Sequence, residues 1–178
     1  MRIALMLCLA GATAAAAPCP DDQALLAIGQ RAFPDAMPAI ASCTQVRATH
    51  ALWLVTYAVG GGDIDALVAG GKVIAATGAP AGKASGQTRW SVADVDGDGR
   101  DDLIVRTTTS SSDWIEIARI GDDGEPGVGA SLAMSGKSCV AALAFVPVHR
   151  GQLVELDGCT RAGRHRYRWR GDTFEEVR

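Results

Sequence analysis

The segment DVDGDGRDDLIV spaces its aspartates in a way that suits the binding of a hard cation. Counted from Asp94, the carboxylates occupy positions 1, 3, 5 and 9 of a loop: Asp94, Asp96, Asp98 and Asp102. Calcium prefers several oxygen ligands, and alternate residues of a tight loop can direct carboxylates to one centre. Gly99 at position 6 permits the sharp turn, and the Arg100 carbonyl at position 7 can supply a further oxygen. The sequence therefore predicts one Ca²⁺ site in residues 94–102.

Strand-like sequence flanks this loop on both sides, whereas helices flank an EF-hand. Position 12 is Val105, which cannot provide the bidentate carboxylate of an EF-hand. Residues 88–108 instead resemble the FG-GAP or VCBS calcium-binding repeat, whose pattern is a strand, a DxDxDGxxDL loop and a second strand. The resemblance implies a sheet related to integrin-type β-propellers and no ligand role for Asp101. It implies a carbonyl ligand at Arg100 and side-chain ligands at Asp94, Asp96, Asp98 and Asp102.

A complete propeller of this family carries several such loops, but this sequence has a single full copy. The other acidic pairs are fragments of the pattern: Asp63 with Asp65, Asp122 with Asp123, and Glu155 with Asp157. We therefore expect a partial or divergent propeller-like sheet. Without a glutamate at position 12, the Ca²⁺ affinity should be weak, roughly 10⁻⁵ to 10⁻³ M. The alternative is a solvated acidic turn without metal, although five carboxylates in nine residues repel one another unless a cation offsets them.

The carboxy-terminal segment RHRYRWRG has arginine at every second position. Because alternate residues of a strand share one face, a strand would display these side chains together: Arg164, Arg166, Arg168 and Arg170. Such a stripe suits the carboxylates of a partner protein or an anionic glycan. The alternative is an edge strand whose charges prevent aggregation. Arg170, Gly171 and Asp172 match an integrin-recognition motif, but we expect them to form the turn of a last hairpin between Trp169 and Phe174.

The amino terminus has the order of residues found in a secretory signal peptide. Arg2 precedes an apolar run from Ile3 to Ala10, and small residues follow to Ala17. We expect cleavage after Ala16, with cleavage after Ala17 as the alternative, and no lipid attachment. The prediction is thus a signal peptide of residues 1–16 and one domain of residues 17–178, located in the periplasm or secreted. No later run approaches the roughly 20 apolar residues that a membrane-spanning helix requires.

Cleavage of the signal peptide would remove Cys8 and leave an even number of cysteines: Cys19, Cys43, Cys139 and Cys159. Exported proteins meet an oxidising compartment, so we expect two disulfides. Three pairings are open, and proximity in sequence favours Cys19 with Cys43 and Cys139 with Cys159. Each bridge would contribute about 3 kcal/mol in the chain-entropy model.

One helix and many short strands are expected from the remaining sequence. Asp21 and Asp22 can cap a helix whose apolar residues recur until Pro34. Runs rich in valine, isoleucine or aromatic residues then follow, divided by glycine clusters: 51–59, 64–76, 89–95, 102–108, 114–120, 140–148, 152–156 and 164–169. This spacing predicts an all-β, mainly antiparallel fold with one short helix.

No arrangement of catalytic residues is evident in the sequence. The histidines lack the spacing of metal ligands, and no serine lies in a nucleophile-elbow motif: His50, His149, His165, Ser85, Ser91, Ser110 and Ser135. The net charge of −3 does not favour nucleic acid as a partner. We therefore predict an exported calcium-binding protein without an active site, such as an inhibitor or immunity-type protein directed at an envelope hydrolase. Two alternatives stay open, a hydrolase of envelope polymers and a purely structural envelope protein, and the oligomeric state is left undetermined.

Overall fold

The computed structural model describes residues 19–47, 51–77, 86–109, 112–127, 130–135, 140–148, 151–158, 164–170 and 173–177. They form one helix and twelve strands: α1 Asp22–Ala32, β1 Ala39–Gln45, β2 Leu52–Val59, β3 Gly62–Ala69, β4 Lys72–Ala76, β5 Gly86–Ala93, β6 Asp102–Thr109, β7 Ser112–Arg119, β8 Ala130–Ser135, β9 Val140–Val148, β10 Gly151–Gly158, β11 Arg164–Trp169 and β12 Phe174–Glu176. All named strand pairs are antiparallel. The predicted all-β class with one short helix is therefore confirmed.

The strands build three four-stranded sheets, with the orders β1-β2-β3-β4, β5-β6-β7-β8 and β12-β11-β10-β9. In each sheet, a strand pairs with the strand that precedes or follows it in the chain. Sheets of four such strands are the repeating unit of β-propellers. The predicted propeller-like arrangement of these sheets stays a prediction.

Local signals in the sequence determine α1. Asp21 is the N-cap, and its carboxylate accepts a hydrogen bond of 2.8 Å from the Ala24 N–H. Arg31 in the last turn is favourably placed in the field of the helix dipole. The helix ends shortly before Pro34, as predicted.

The first sheet is buried on both faces, which explains why β2 and β3 are almost continuously apolar. On one face, α1 packs against Val55, Tyr57, Ile64, Ala66 and Val68. The alternate residues point to the second sheet, where Leu52, Leu54 and Leu67 join a cluster with Leu103, Ala118 and Ile120. The first and second sheets therefore share a core, and β6, which follows the acidic loop, contributes Leu103 to it.

Cys19 is bonded to Cys43 of β1, which confirms this predicted disulfide. The bond ties the segment before α1 to the first sheet. The other predicted pair, Cys139 with Cys159, lies outside the described residues, as does the predicted signal peptide of residues 1–16. α1 has 11 residues, and the described parts of the chain contain no helix of the length and apolarity needed to cross a membrane.

Two strands were not predicted, and one interpretation of the arginine segment was wrong. β1 and β8 are poor in the branched and aromatic residues that mark strands, and their pairing with β2 and β7 defines them. The apolar run 64–76 is divided into β3 and β4 by Gly70 and Gly71, both with positive φ.

β11 lies between β10 and β12, so it is not an edge strand. The hairpin predicted to join Trp169 to Phe174 is confirmed.

Candidate metal centre

The acidic loop connects β5 to β6 at the point where the two strands part. The last pair in their register is Ala93 with Asp102, so Asp94 begins the loop directly after the ladder ends. The carboxylates of Asp94, Asp96 and Asp98 converge, and one oxygen from each lies within 4.8 Å of the others. The structure thus brings together the first three predicted ligands.

Main-chain N–H groups of the loop hold these carboxylates in place. Asp94 accepts from Gly97 at 2.7 Å and from Gly99 at 3.0 Å. Asp96 accepts from the Asp98 N–H at 3.1 Å, and Asp98 accepts from the Arg100 N–H at 2.8 Å. Gly97 and Gly99 have φ values of 80° and 91°, which other residues rarely adopt. The glycines therefore allow the tight curvature that turns the carboxylates inward.

Asp102, the fourth predicted side-chain ligand, lies beside this group and is buried. Its Oδ2 accepts a hydrogen bond of 3.0 Å from the Val95 N–H, and only 6% of the residue is exposed. The pKa of Asp102 is raised to about 6, first by burial and then by the negative charges of Asp96 and Asp98, while the Val95 N–H and Arg119 act in the opposite direction. The position is therefore costly for an isolated anion, and a nearby cation would lower that cost.

Two arginines from other parts of the chain contact the loop, and the sequence did not reveal either contact. Arg119 at the end of β7 donates from Nη2 to Asp96 Oδ2 at 2.6 Å. Arg47, which follows β1, binds the carboxylate of Asp101. Arg100 extends away from the loop and pairs with Asp122 at 2.7 Å. These contacts depend on strand register and on packing between sheets, which the spacing of residues in sequence does not indicate.

The donor set is of a kind that could hold a hard cation. Carboxylate oxygens are the ligands that Ca²⁺ prefers, and each oxygen can accept a main-chain hydrogen bond while it also coordinates a metal. The loop offers three converging carboxylates, with Asp102 adjacent. The predicted ligand role of the Arg100 carbonyl stays a prediction. No ligand role was predicted for Asp101, and its carboxylate accepts a hydrogen bond from the Arg47 guanidinium.

Comparison of the chain with protein-family models, curated proteins and solved structures found no match. The resemblance to FG-GAP or VCBS repeats therefore stays a prediction that rests on the residues of the loop.

A second polar cluster, centred on Asp65 of β3, was not predicted as a unit. Asp65 is fully buried. Its Oδ1 accepts from the Thr56 hydroxyl at 2.7 Å, and its Oδ2 accepts from the Trp90 N–H at 2.7 Å. The Arg89 guanidinium lies 3.2 Å from the same Oδ2 and also pairs with Asp63. This carboxylate therefore joins the first sheet to the second, and its donors account for its burial. An aspartate inside the apolar run IDALVA is the signal that could have marked it.

Each arginine of β11 is paired in the strand register with an acidic position on a neighbouring strand. In the register, Arg164 is opposite Asp157, Arg166 is opposite Glu155, and Arg168 is opposite Glu175. Directly opposed residues share a face of the sheet. Arg170 follows the strand and pairs with Glu175 at 3.3 Å. The register therefore places these three arginines opposite acidic positions, and the role of the predicted stripe in binding a partner stays a prediction.

Proposed function

We propose that this protein is an exported, non-enzymatic binding protein that holds one Ca²⁺ in residues 94–102. Asp94, Asp96, Asp98 and Asp102 would supply side-chain oxygens, and Arg100 would supply its carbonyl. The observation that carries the proposal is the convergence of the first three carboxylates, whose oxygens lie within 4.8 Å of one another. Their mutual repulsion and the burial of Asp102 both favour the entry of a cation.

The ion would have a structural role. It would close the β5–β6 hairpin at its open end, where the strand ladder stops at Ala93 and Asp102. The hairpin also packs through Leu103 against the core shared with the first sheet. An ordered loop would therefore stabilise the junction between the two sheets as well as the hairpin itself.

Two of the buried carboxylates in the described residues, Asp65 and Asp101, have partners that give them a structural role. Asp65 accepts hydrogen bonds from the Thr56 hydroxyl and the Trp90 N–H and pairs with Arg89, and Asp101 accepts hydrogen bonds from Arg47, so both carboxylates link separate elements of the fold. A concavity of about 590 Å³ lies between the end of α1 and the β2–β3 turn, and Phe33, Met37 and Ile64 line it. Asp35 is its one ionisable lining residue. A nucleophile with a neighbouring base is not found among these lining residues.

Export is supported by the disulfide between Cys19 and Cys43, because such bonds persist in oxidising compartments. The partner we propose is an envelope protein, such as a hydrolase that this chain would inhibit, or an anionic glycan. The proposed contact is the arginine face of β11. In the strand register, Arg166 is opposite Glu155 and Arg168 is opposite Glu175, so the face also carries acidic positions.

Calorimetric titration of Ca²⁺ into chelator-treated protein, with a melting curve, tests the calcium function. We expect one site in the native protein and none in a variant with Asp96→Asn and Asp98→Asn. The matched control carries Asp123→Asn and Glu125→Gln, which remove two carboxylates from the neighbouring exposed loop and leave the Arg100–Asp122 pair in place. At calcium about 100 times the dissociation constant, the free energy of unfolding should rise by about 2.7 kcal/mol.

For a domain of this size, that gain corresponds to a rise in melting temperature of roughly 5 to 10 °C. The control should keep the full rise. The calcium proposal would be wrong if the native protein showed no binding at millimolar Ca²⁺, or if both double variants lost binding equally.

A further inference from the structure

Arg119 is placed at the acidic loop by the register of the second sheet. In the pairing of β6 with β7, Arg119 is directly opposite Asp102, the residue that ends the loop. Opposed residues of an antiparallel pair share a face, so the Arg119 side chain leaves the sheet on the side of Asp102. Its positive charge favours the ionised form of Asp102 and therefore acts against the rise in the pKa of that carboxyl.

The guanidinium of Arg119 then reaches the predicted ligand Asp96. Nη2 donates to Asp96 Oδ2 at 2.6 Å, and the other oxygen of Asp96 accepts from the Asp98 N–H. The Asp96 side chain is 14% exposed, whereas that of Arg119 is 60% exposed. The arginine thus approaches the carboxylate from the solvent side and has open space into which it can withdraw.

A calcium ion and this guanidinium would compete for the same carboxylate. Calcium lies about 2.3 to 2.6 Å from its oxygen ligands. Two cations on one carboxylate would then lie within roughly 5 Å of each other, and they would repel. Binding of the ion therefore requires Arg119 to turn away or to accept this repulsion. Either course lowers the affinity of the loop for calcium.

We propose that Arg119 is an internal cation that occupies the loop when calcium is absent and sets how much calcium is needed to fill it. This role rests on the proposed calcium function. It has two parts: Arg119 stabilises the calcium-free loop by offsetting the charge of Asp96, and it weakens calcium binding through the same contact. The native chain would respond to calcium at a higher concentration than its carboxylates alone would set.

The test compares Arg119→Gln with native protein by calorimetric titration of Ca²⁺ and by melting in chelator and in saturating Ca²⁺. We expect Arg119→Gln to bind calcium about three- to tenfold more tightly, because an exposed ion pair and a local repulsion are both removed. In chelator the variant should melt below the native protein, and in saturating Ca²⁺ the difference should shrink or vanish.

Two further variants identify the cause of any change. Arg31→Gln removes the same charge from α1, where Arg31 donates to the Gly71 carbonyl, and should leave the affinity at the native value. Arg119→Lys keeps the positive charge at the loop and should stay within about twofold of native affinity. Arg119→Gln and Arg31→Gln would show the same increase if only the net charge of the protein mattered, and that result would overturn the proposal.

The outcomes separate this inference from the calcium function. Native affinity in Arg119→Gln, with binding intact in both proteins, overturns the role of Arg119 and leaves the calcium function standing. If Arg119→Gln binds calcium and the native protein does not, the role of Arg119 is supported and the proposal that the native chain carries calcium is overturned. Absence of binding in both proteins overturns both proposals.

Discussion

Arg47 donates three hydrogen bonds to the carboxylate of Asp101, although 54 positions separate the two residues in sequence. The main-chain N–H contributes one of 2.9 Å, Nε one of 2.8 Å and Nη2 one of 2.6 Å. The Asp101 side chain is 6% exposed, and the residue precedes Asp102 at the end of the acidic loop. The loop of the second sheet is therefore held directly to the chain that follows β1.

We expect this pair to couple the two sheets energetically. Asp101→Asn should lower the free energy of unfolding by about 1.5 to 3 kcal/mol, the range for hydrogen bonds to a charged group. A double-mutant cycle of Asp101→Asn with Arg47→Gln, measured by urea denaturation in chelator, should give a coupling of about 1 kcal/mol or more. The exposed pair Arg170 with Glu175 is the control, with an expected coupling of at most about 0.5 kcal/mol. Equal couplings in the two cycles would contradict this prediction.

Asp65 and Asp63 allow a comparison of burial, because both contact Arg89 from the same strand. Asp65→Asn should destabilise the protein by about 2 to 4 kcal/mol, since an amide group would face buried donors that now have an acceptor. Asp63 is 38% exposed, so Asp63→Asn should cost less than about 1 kcal/mol. Urea denaturation of both variants measures the difference. Similar losses would mean that Arg89, and not the buried hydrogen bonds of Asp65, accounts for the stability.

Replacement of Asp102 should have opposite effects with and without calcium. The pKa of Asp102 is about 6, above its ordinary value of 3.8. The contribution of this carboxyl to the free energy of unfolding therefore falls as pH rises from about 4 through 6. In chelator at pH 8, Asp102→Asn should therefore raise the free energy of unfolding by at most about 3 kcal/mol. The substitution removes the charge, and the amide oxygen can still accept the hydrogen bond from the Val95 N–H. In calcium the variant should lose a ligand and melt below the native protein.

Melting curves at pH 5 and pH 8, in chelator and in calcium, test this reversal. The gain in chelator should be smaller at pH 5, where the native carboxyl is partly protonated. A variant that is less stable than the native protein in chelator at pH 8 would be evidence against an unfavourable buried charge.

Tyr57 should make the protein sensitive to alkali. Its side chain is fully buried, its hydroxyl donates to the Leu25 carbonyl at 3.0 Å, and burial raises its pKa above 10. The unfolded chain therefore releases this proton first, and the free energy of unfolding falls as pH rises through 10 and beyond. Tyr57→Phe should cost about 1 kcal/mol at pH 8 and should flatten the alkaline slope.

Urea denaturation at pH 8, 10 and 11 measures both effects. The alkaline pH dependence that remains in Tyr57→Phe would include the ionisation of Tyr167. This is the other tyrosine of the chain, and burial also raises its pKa. An unchanged slope in Tyr57→Phe would assign the alkaline sensitivity to other groups.

Features encoded by neighbouring residues were the most predictable from sequence. Asp21 caps α1 as expected, and the aspartates of the loop converge at the spacing that suggested a metal site. Contacts that depend on strand register were not predictable. Arg119 meets Asp96 only because β6 and β7 pair in one register, and Asp65 is satisfied only because the first two sheets pack together. The arginines of β11 alternate as expected, but their acidic neighbours come from separate strands.

The pairing of each strand with its neighbours in sequence also bears on the order of folding. Closing short connections costs little entropy, and folds dominated by such local pairs form faster than those that join distant segments. The first sheet is complete at Ala76, before the acidic loop begins in the chain. As the polypeptide emerges from a ribosome, this sheet can form first. Arg47 would then already be in position when Asp101 arrives, and the early sheet would act as a template for the loop that follows.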